Sequence, residues 1–160
     1  MIQDIFKSFI VLGSCFLLSG CMQNQVNQDL NVEENQPEEF NEGVEQMMIT
    51  ATINEIEYEI ILEDNNTTRA FIDLLPLTIQ MDDLNNNEKY FYLDAALPSD
   101  SYNPETIQPG DFMLYGNNCI VLFYKSFQSN FSYTKLGTIK NTDGLQVIAA
   151  STSIEVTFAK

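Results

Sequence analysis

The chain has 160 residues and a formal charge of −16, from 23 acids against seven bases, and it contains no histidine. The charge balance lacks the basic footprint that supplies most of the affinity for nucleic acid, which excludes such a partner. The missing histidine excludes Ser-His-Asp and Cys-His catalysis and histidine metal sites, and no pattern in the chain asks for a cofactor or a metal.

From Phe9 to Leu18 the chain is almost continuously apolar. Ten or so residues at helical rise reach roughly half the thickness of a bilayer core, so the run is too short to span one. A short apolar core ending in small residues is the pattern of a cleavable export signal. Leu18-Ser19-Gly20-Cys21 resembles the lipobox of bacterial lipoproteins. That resemblance implies a signal peptide over 1–20, cleavage before Cys21 and a lipid on the Cys21 thiol. Two or three acyl chains on one residue hold a protein at a membrane where a single chain binds only marginally. The expected location is therefore the extracytoplasmic side of a cell membrane or outer membrane, with the membrane as partner through the lipid. Residues 22–46 carry seven acids, no base and few large apolar side chains. Such a composition does not bury enough surface to offset the entropy of ordering, and with Cys21 it reads as a disordered acidic tether over 21–46.

The folded domain is expected over 47–160. MMITATIN and IEYEIIL are alternating, β-branched runs that meet at Asn54-Glu55, a hairpin pattern. In NNTTRAFIDLLP, Asn66 or Thr67 is placed to cap a helix of about nine residues whose Ala70, Phe71, Leu74 and Leu75 share a face and which Pro76 ends. LTIQMDDL and EKYFYL form a second hairpin around Asn85-Asn86-Asn87. Asp83-x-Asn85-x-Asn87 imitates part of a calcium loop, but Glu88 stands where glycine is required, so the segment reads as a solvated turn. A polar connection with Pro98, Pro104 and Pro109 follows as a long surface loop. DFMLY and NCIVLFY flank Gly116-Asn117 in a third hairpin, SYTKLGTIK is a strand, Asp143 to Ala149 a short helix and TSIEVTFA the last strand. About eight strands and two short helices predict a mainly β protein closed into a barrel, because closure removes exposed edges.

The segments TTRAFIDLLP, EKYFYL, QPGDFMLYGNNCIVLFYKSF, YTKLGTIK and IEVTF, in this order, resemble the bacterial cyclophilin-like domains. The resemblance implies a closed eight-stranded barrel with a helix near each end. It does not carry over a catalytic residue. True cyclophilins use a Phe-His-Arg segment that is missing here, and Gln108-Pro109-Gly110-Asp111-Phe112 only superficially echoes their second signature.

Aromatic residues are the richest remaining signal. Successive strand side chains face opposite ways, so Tyr90 and Tyr92 share a face, while Phe123 and Tyr124 divide between inside and outside. Phenylalanines are expected to fill the core and tyrosines to cap it with a hydrated hydroxyl. Cys119, in an apolar run and without a histidine to activate it, reads as a small buried hydrophobe. Tyr92, Tyr115, Asn118, Tyr124 and Tyr133, with Arg69 as a cation, form the candidate ligand site: an aromatic groove for a peptide, a protein or a small molecule. The expected function is non-catalytic binding by a membrane-anchored barrel, with prolyl isomerisation of exported proteins as the alternative. If the lipobox reading holds, mass spectrometry of protein taken from cells will find a mature chain that starts at a diacylglyceryl-modified Cys21. An intact Met1 with an unmodified Cys21 would contradict it.

Overall fold

The computed structural model describes residues 46–160; the expected signal peptide, Cys21 and the expected tether up to residue 45 lie outside the described residues. Ten strands form: β1 (Met48–Ile53), β2 (Ile56–Leu62), β3 (Leu77–Leu84), β4 (Glu88–Tyr92), β5 (Thr106–Ile107), β6 (Asp111–Tyr115), β7 (Cys119–Phe123), β8 (Phe127–Gln128), β9 (Tyr133–Ile139) and β10 (Ser153–Ala159). Helix α1 covers Asn66–Ile72, and a 3-10 turn covers Leu145–Ala150. Eight strands close an antiparallel barrel in the order β1-β10-β3-β4-β7-β6-β9-β2, while β5 and β8 pair with each other as a separate two-stranded sheet. Among the described residues no helix is long and apolar enough to cross a membrane.

The hairpins follow from their turn residues. Ile53 pairs with Ile56 across a two-residue turn in which Asn54 and Glu55 both take positive φ, the twist-matched geometry of a tight hairpin. Asn85 and Asn86 do the same between β3 and β4, and Gly116 does so between β6 and β7. At Gly137 the constraint is close approach: a Cβ there would lie 2.5 Å from the Ile61 carbonyl oxygen on β2. Any side chain at this position would push β9 away from its neighbour.

Alternation then sorts the side chains. Ile49, Ala51 and Ile53 of β1, Tyr58, Ile60 and Leu62 of β2, and Ile154, Val156 and Phe158 of β10 all turn into one buried interior cluster. The plug of this interior is Phe71 of α1, fully buried, with its ring 5.3 Å from Phe112 and 5.5 Å from Phe158. The helix cap is Asn65, one residue before the expected positions: its side chain accepts from the Thr68 N–H at 2.8 Å and donates to the Lys135 carbonyl at 2.8 Å. One asparagine thus starts the helix and fastens it to β9. The helix stops at Ile72, short of the nine residues expected, and leaves Leu74 exposed.

Strands β6 and β7 break the alternation. Apart from Tyr115, all their residues are buried, because a second apolar cluster of Ile107, Met113, Cys119, Val121, Phe123 and Tyr133 packs against their outer face. Ile107 and Phe127, paired across β5 and β8, cover this face from outside. The barrel wall is therefore apolar on both sides here, as the uninterrupted run Cys119–Tyr124 requires. Replacing Phe71 with alanine should cost roughly 3–5 kcal/mol in equilibrium denaturation; a loss below about 1 kcal/mol would show that α1 is not the plug.

Candidate functional site

Register places an outward-facing ladder of side chains beside the second cluster. Glu88, Tyr90 and Tyr92 alternate along β4, and their partners on β7 are Phe123, Val121 and Cys119. Val121 in turn faces Met113, and Cys119 faces Tyr115 on β6, which faces Tyr133 on β9. Together with Phe127 and Phe131 from the segment between β7 and β9, and with Leu84, Asn85 and Asn87 from the β3–β4 turn, these strands enclose a cavity of about 400 Å³ on the outer barrel wall. That volume lies within the range of small-molecule sites.

The walls are aromatic and interlocked. Tyr90 and Tyr92 meet edge to face at 5.8 Å, Tyr115 meets Phe131 at 6.0 Å and Tyr133 at 5.6 Å, and Phe123 meets Tyr133 at 5.5 Å and Phe127 at 5.7 Å. Such contacts fix ring orientation and stabilise beyond burial alone. Tyr92, Tyr115 and Phe131 remain substantially exposed, so the cavity opens to solvent at their end.

At the other end stands Glu88, only 8% exposed. Among the described residues nothing donates a hydrogen bond or an ion pair to its carboxyl, and no lysine or arginine lines the cavity. Burial, helped by the nearby Asp83 charge, pushes the Glu88 carboxyl up to about 7. Asn87 lines the same end, and its Oδ1 is buried without a hydrogen-bond partner. The neighbouring residue behaves in the opposite way. Lys89 points into the barrel with its side chain fully buried, donating from Nζ to Asp83 Oδ2 at 2.7 Å and to the Ser151 carbonyl. Tyr124 donates to the same Asp83 oxygen at 2.5 Å. Burial works to raise the Asp83 carboxyl, but the hydrogen bonds from Lys89 and Tyr124 and the Lys89 charge outweigh it and hold the group below the usual carboxylate value.

Three of the six residues expected to form the ligand site line the cavity: Tyr92, Tyr115 and Tyr133. The other three have different partners. Arg69 projects from α1 and pairs with Asp64. Asn118 fastens a loop, its Nδ2 donating to the Leu93 carbonyl at 3.1 Å and its own carbonyl accepting from the Leu93 N–H at 2.7 Å. Tyr124 turns into the barrel while Phe123 faces outward, the reverse of phenylalanine inside and tyrosine at the edge, because Asp83 gives the phenol an acceptor in the interior. Cys119 is buried as expected but forms part of the cavity wall; burial first, then the Glu88 charge, pushes its thiol up to about 11, which keeps it neutral and unreactive. Glu88 is the residue that sequence reasoning missed. The signal was one further step of two back from Tyr92 and Tyr90.

A closed eight-stranded antiparallel barrel with a cavity on its outer wall defines a small β-barrel domain. The chain belongs to the cyclophilin-like family, whose model matches residues 51–159. It is similar to a hypothetical protein from Archaeoglobus fulgidus known from a solution structure, with 20% identity and a TM-score of 0.53, over 71% of this chain and 94% of that one. At that identity the likeness speaks for the fold alone. No curated protein matches the sequence.

Glu88 gives the fold a pH dependence. Its carboxyl titrates at about 7 when folded, against an ordinary value of 4.5, so the folded state binds the proton more tightly than the unfolded chain. Its contribution is full below about pH 4.5 and is lost as pH rises through about 7. Thermal and chemical denaturation should show Glu88→Gln more stable than the parent at pH 8 by on the order of 1–3 kcal/mol, with the difference vanishing toward pH 4. A difference that does not change with pH would contradict the buried, unpaired carboxyl.

Proposed function

We propose that the protein is a lipid-anchored extracytoplasmic protein whose barrel binds a small ligand in the outer-wall cavity without chemical turnover. The observation that carries this reading is the cavity itself: about 400 Å³, walled by interlocked tyrosines and phenylalanines, and joined to an acid that has no partner among the described residues. A site of that size with a few placed polar groups suits recognition. Membership of the cyclophilin-like family supports a ligand-binding or foldase-type barrel at the coarser level. The anchor and the location rest on the Leu18–Cys21 motif.

The non-catalytic reading is favoured by the chemistry of the wall. Cys119 is held neutral, Arg69 is engaged with Asp64 on the helix, and no cation lines the cavity to support a twisted imide. Prolyl isomerisation therefore finds no cationic donor among the residues that line the cavity. A protease-coupled isomerisation assay with the full chain should give the uncatalysed rate, and a clear acceleration would overturn the non-catalytic reading. For binding, a thermal-shift screen of small molecules should yield ligands whose affinity falls about tenfold or more in Tyr92→Ala and Tyr115→Ala, two exposed positions whose truncation leaves the core intact. Unchanged affinity in both variants would remove the site.

A further inference from the structure

The cavity is sorted by chemistry along its length. At the end lined by Asn85, Asn87 and Glu88, the acid is the Glu88 carboxyl, a hydrogen-bond acceptor to which no side chain among the described residues donates. Glu88 and Tyr92 are four residues apart on one face of β4, roughly 13 Å along the strand, with Tyr90 between them. A ligand that satisfies this arrangement brings N–H donors and positive charge to one end and an apolar stem to the other. Tyrosine rings line the route, and the face of such a ring attracts a cation through its ring electrons. The charge of the whole chain, −16, draws cations toward it and repels anions.

Resting on the binding reading above, we infer that the cavity takes a small protonated amine, its ammonium group donating to Glu88 and its apolar or aromatic stem lying against Tyr90, Tyr92 and Tyr115. The neutral walls and the single acid give charge selection without a large electrostatic demand: one cation enters, and one buried charge is answered.

The titratable and charged groups around Glu88 are Asp83, which acts on it from the interior face beside the turn, and, on the outer wall, Tyr90 and Tyr92 on its own strand, Cys119 on β7, Tyr115 on β6 and Tyr133 on β9. Asp83 stays ionised, held low by Lys89 and Tyr124 against the effect of its burial, and the Cys119 thiol stays neutral. A protonated amine needs the carboxylate form of Glu88. Affinity for an amine is then expected to rise with pH through the neutral range.

The test uses the full chain in detergent and three probes on one stem, followed by calorimetry: 4-phenylbutylamine, 4-phenylbutanol and 4-phenylbutyrate. At pH 8 the amine should bind about tenfold or more tightly than the alcohol, and the carboxylate most weakly. Lowering the pH to 5.5 should weaken the amine by roughly tenfold or more and leave the alcohol unchanged, because Glu88 takes up its proton. In Glu88→Gln both the preference for the amine and its pH dependence should disappear while the alcohol still binds. Equal binding of amine and alcohol by the parent protein would overturn the amine inference and leave the aromatic cavity standing as a binding site. Failure of all three probes would overturn both readings. A lysine-containing peptide that binds more tightly than the free amine would overturn the small-molecule assignment in favour of a polypeptide ligand.

Discussion

Strand β4 carries opposite charges on opposite faces, and the rest of the site depends on that separation. Glu88 faces the outer wall and Lys89 the interior, one residue apart, so the pleat keeps them from neutralising each other. Lys89 instead finds Asp83, Ser151 and Tyr124 in the barrel. Each buried ion needs its own partner, since a buried charge left alone costs several kcal/mol. Lys89 has one. Glu88 has none among the described residues, and burial, helped by the Asp83 charge, pushes its carboxyl up to about 7, so that it titrates across the neutral range.

Why such an arrangement is tolerated follows from the architecture around it. The interior is already filled by the Phe71–Phe112–Phe158 cluster and the alternating aliphatic residues of the surrounding strands. The outer wall of β6 and β7 is a second apolar surface, covered in part by β5 and β8. Where that cover stops, the tyrosines of β4, β6 and β9 remain as walls around open space. The cavity is thus what is left between a complete core and an incomplete cover, and the unpartnered acid lies at one end of it. Strained or unpaired polar groups of this kind concentrate at functional sites.

Much of the fold was legible in the sequence because its hairpins are written in local chemistry. Asn54-Glu55 and Asn85-Asn86 announce left-handed turns, and the alternating runs on either side fix which residues face inward. The cyclophilin-like resemblance agrees with the closed barrel and with the family match over 51–159. What was not legible depends on distant partners. The two-residue strands β5 and β8 exist only because Thr106 and Ile107 pair with Gln128 and Phe127 from a distant part of the chain. Tyr124 is interior because Asp83, forty-one positions away, accepts a hydrogen bond from its phenol, and Asn118 is a loop fastener because Leu93 lies beside it. Glu88 looked like a misfit in a calcium loop, and its meaning emerged only when the outer face of β4 met Phe123 and Val121 of β7.

The most direct test of the account is the ionisation of one side chain. A carbon-13 NMR titration of the Glu88 carboxyl in the folded protein, assigned by comparison with Glu88→Gln, should give a midpoint at about 7. A midpoint near the ordinary value of 4.5 would mean that the carboxyl is solvated or paired, and the cavity would lose the group that distinguishes it from a patch of surface aromatics.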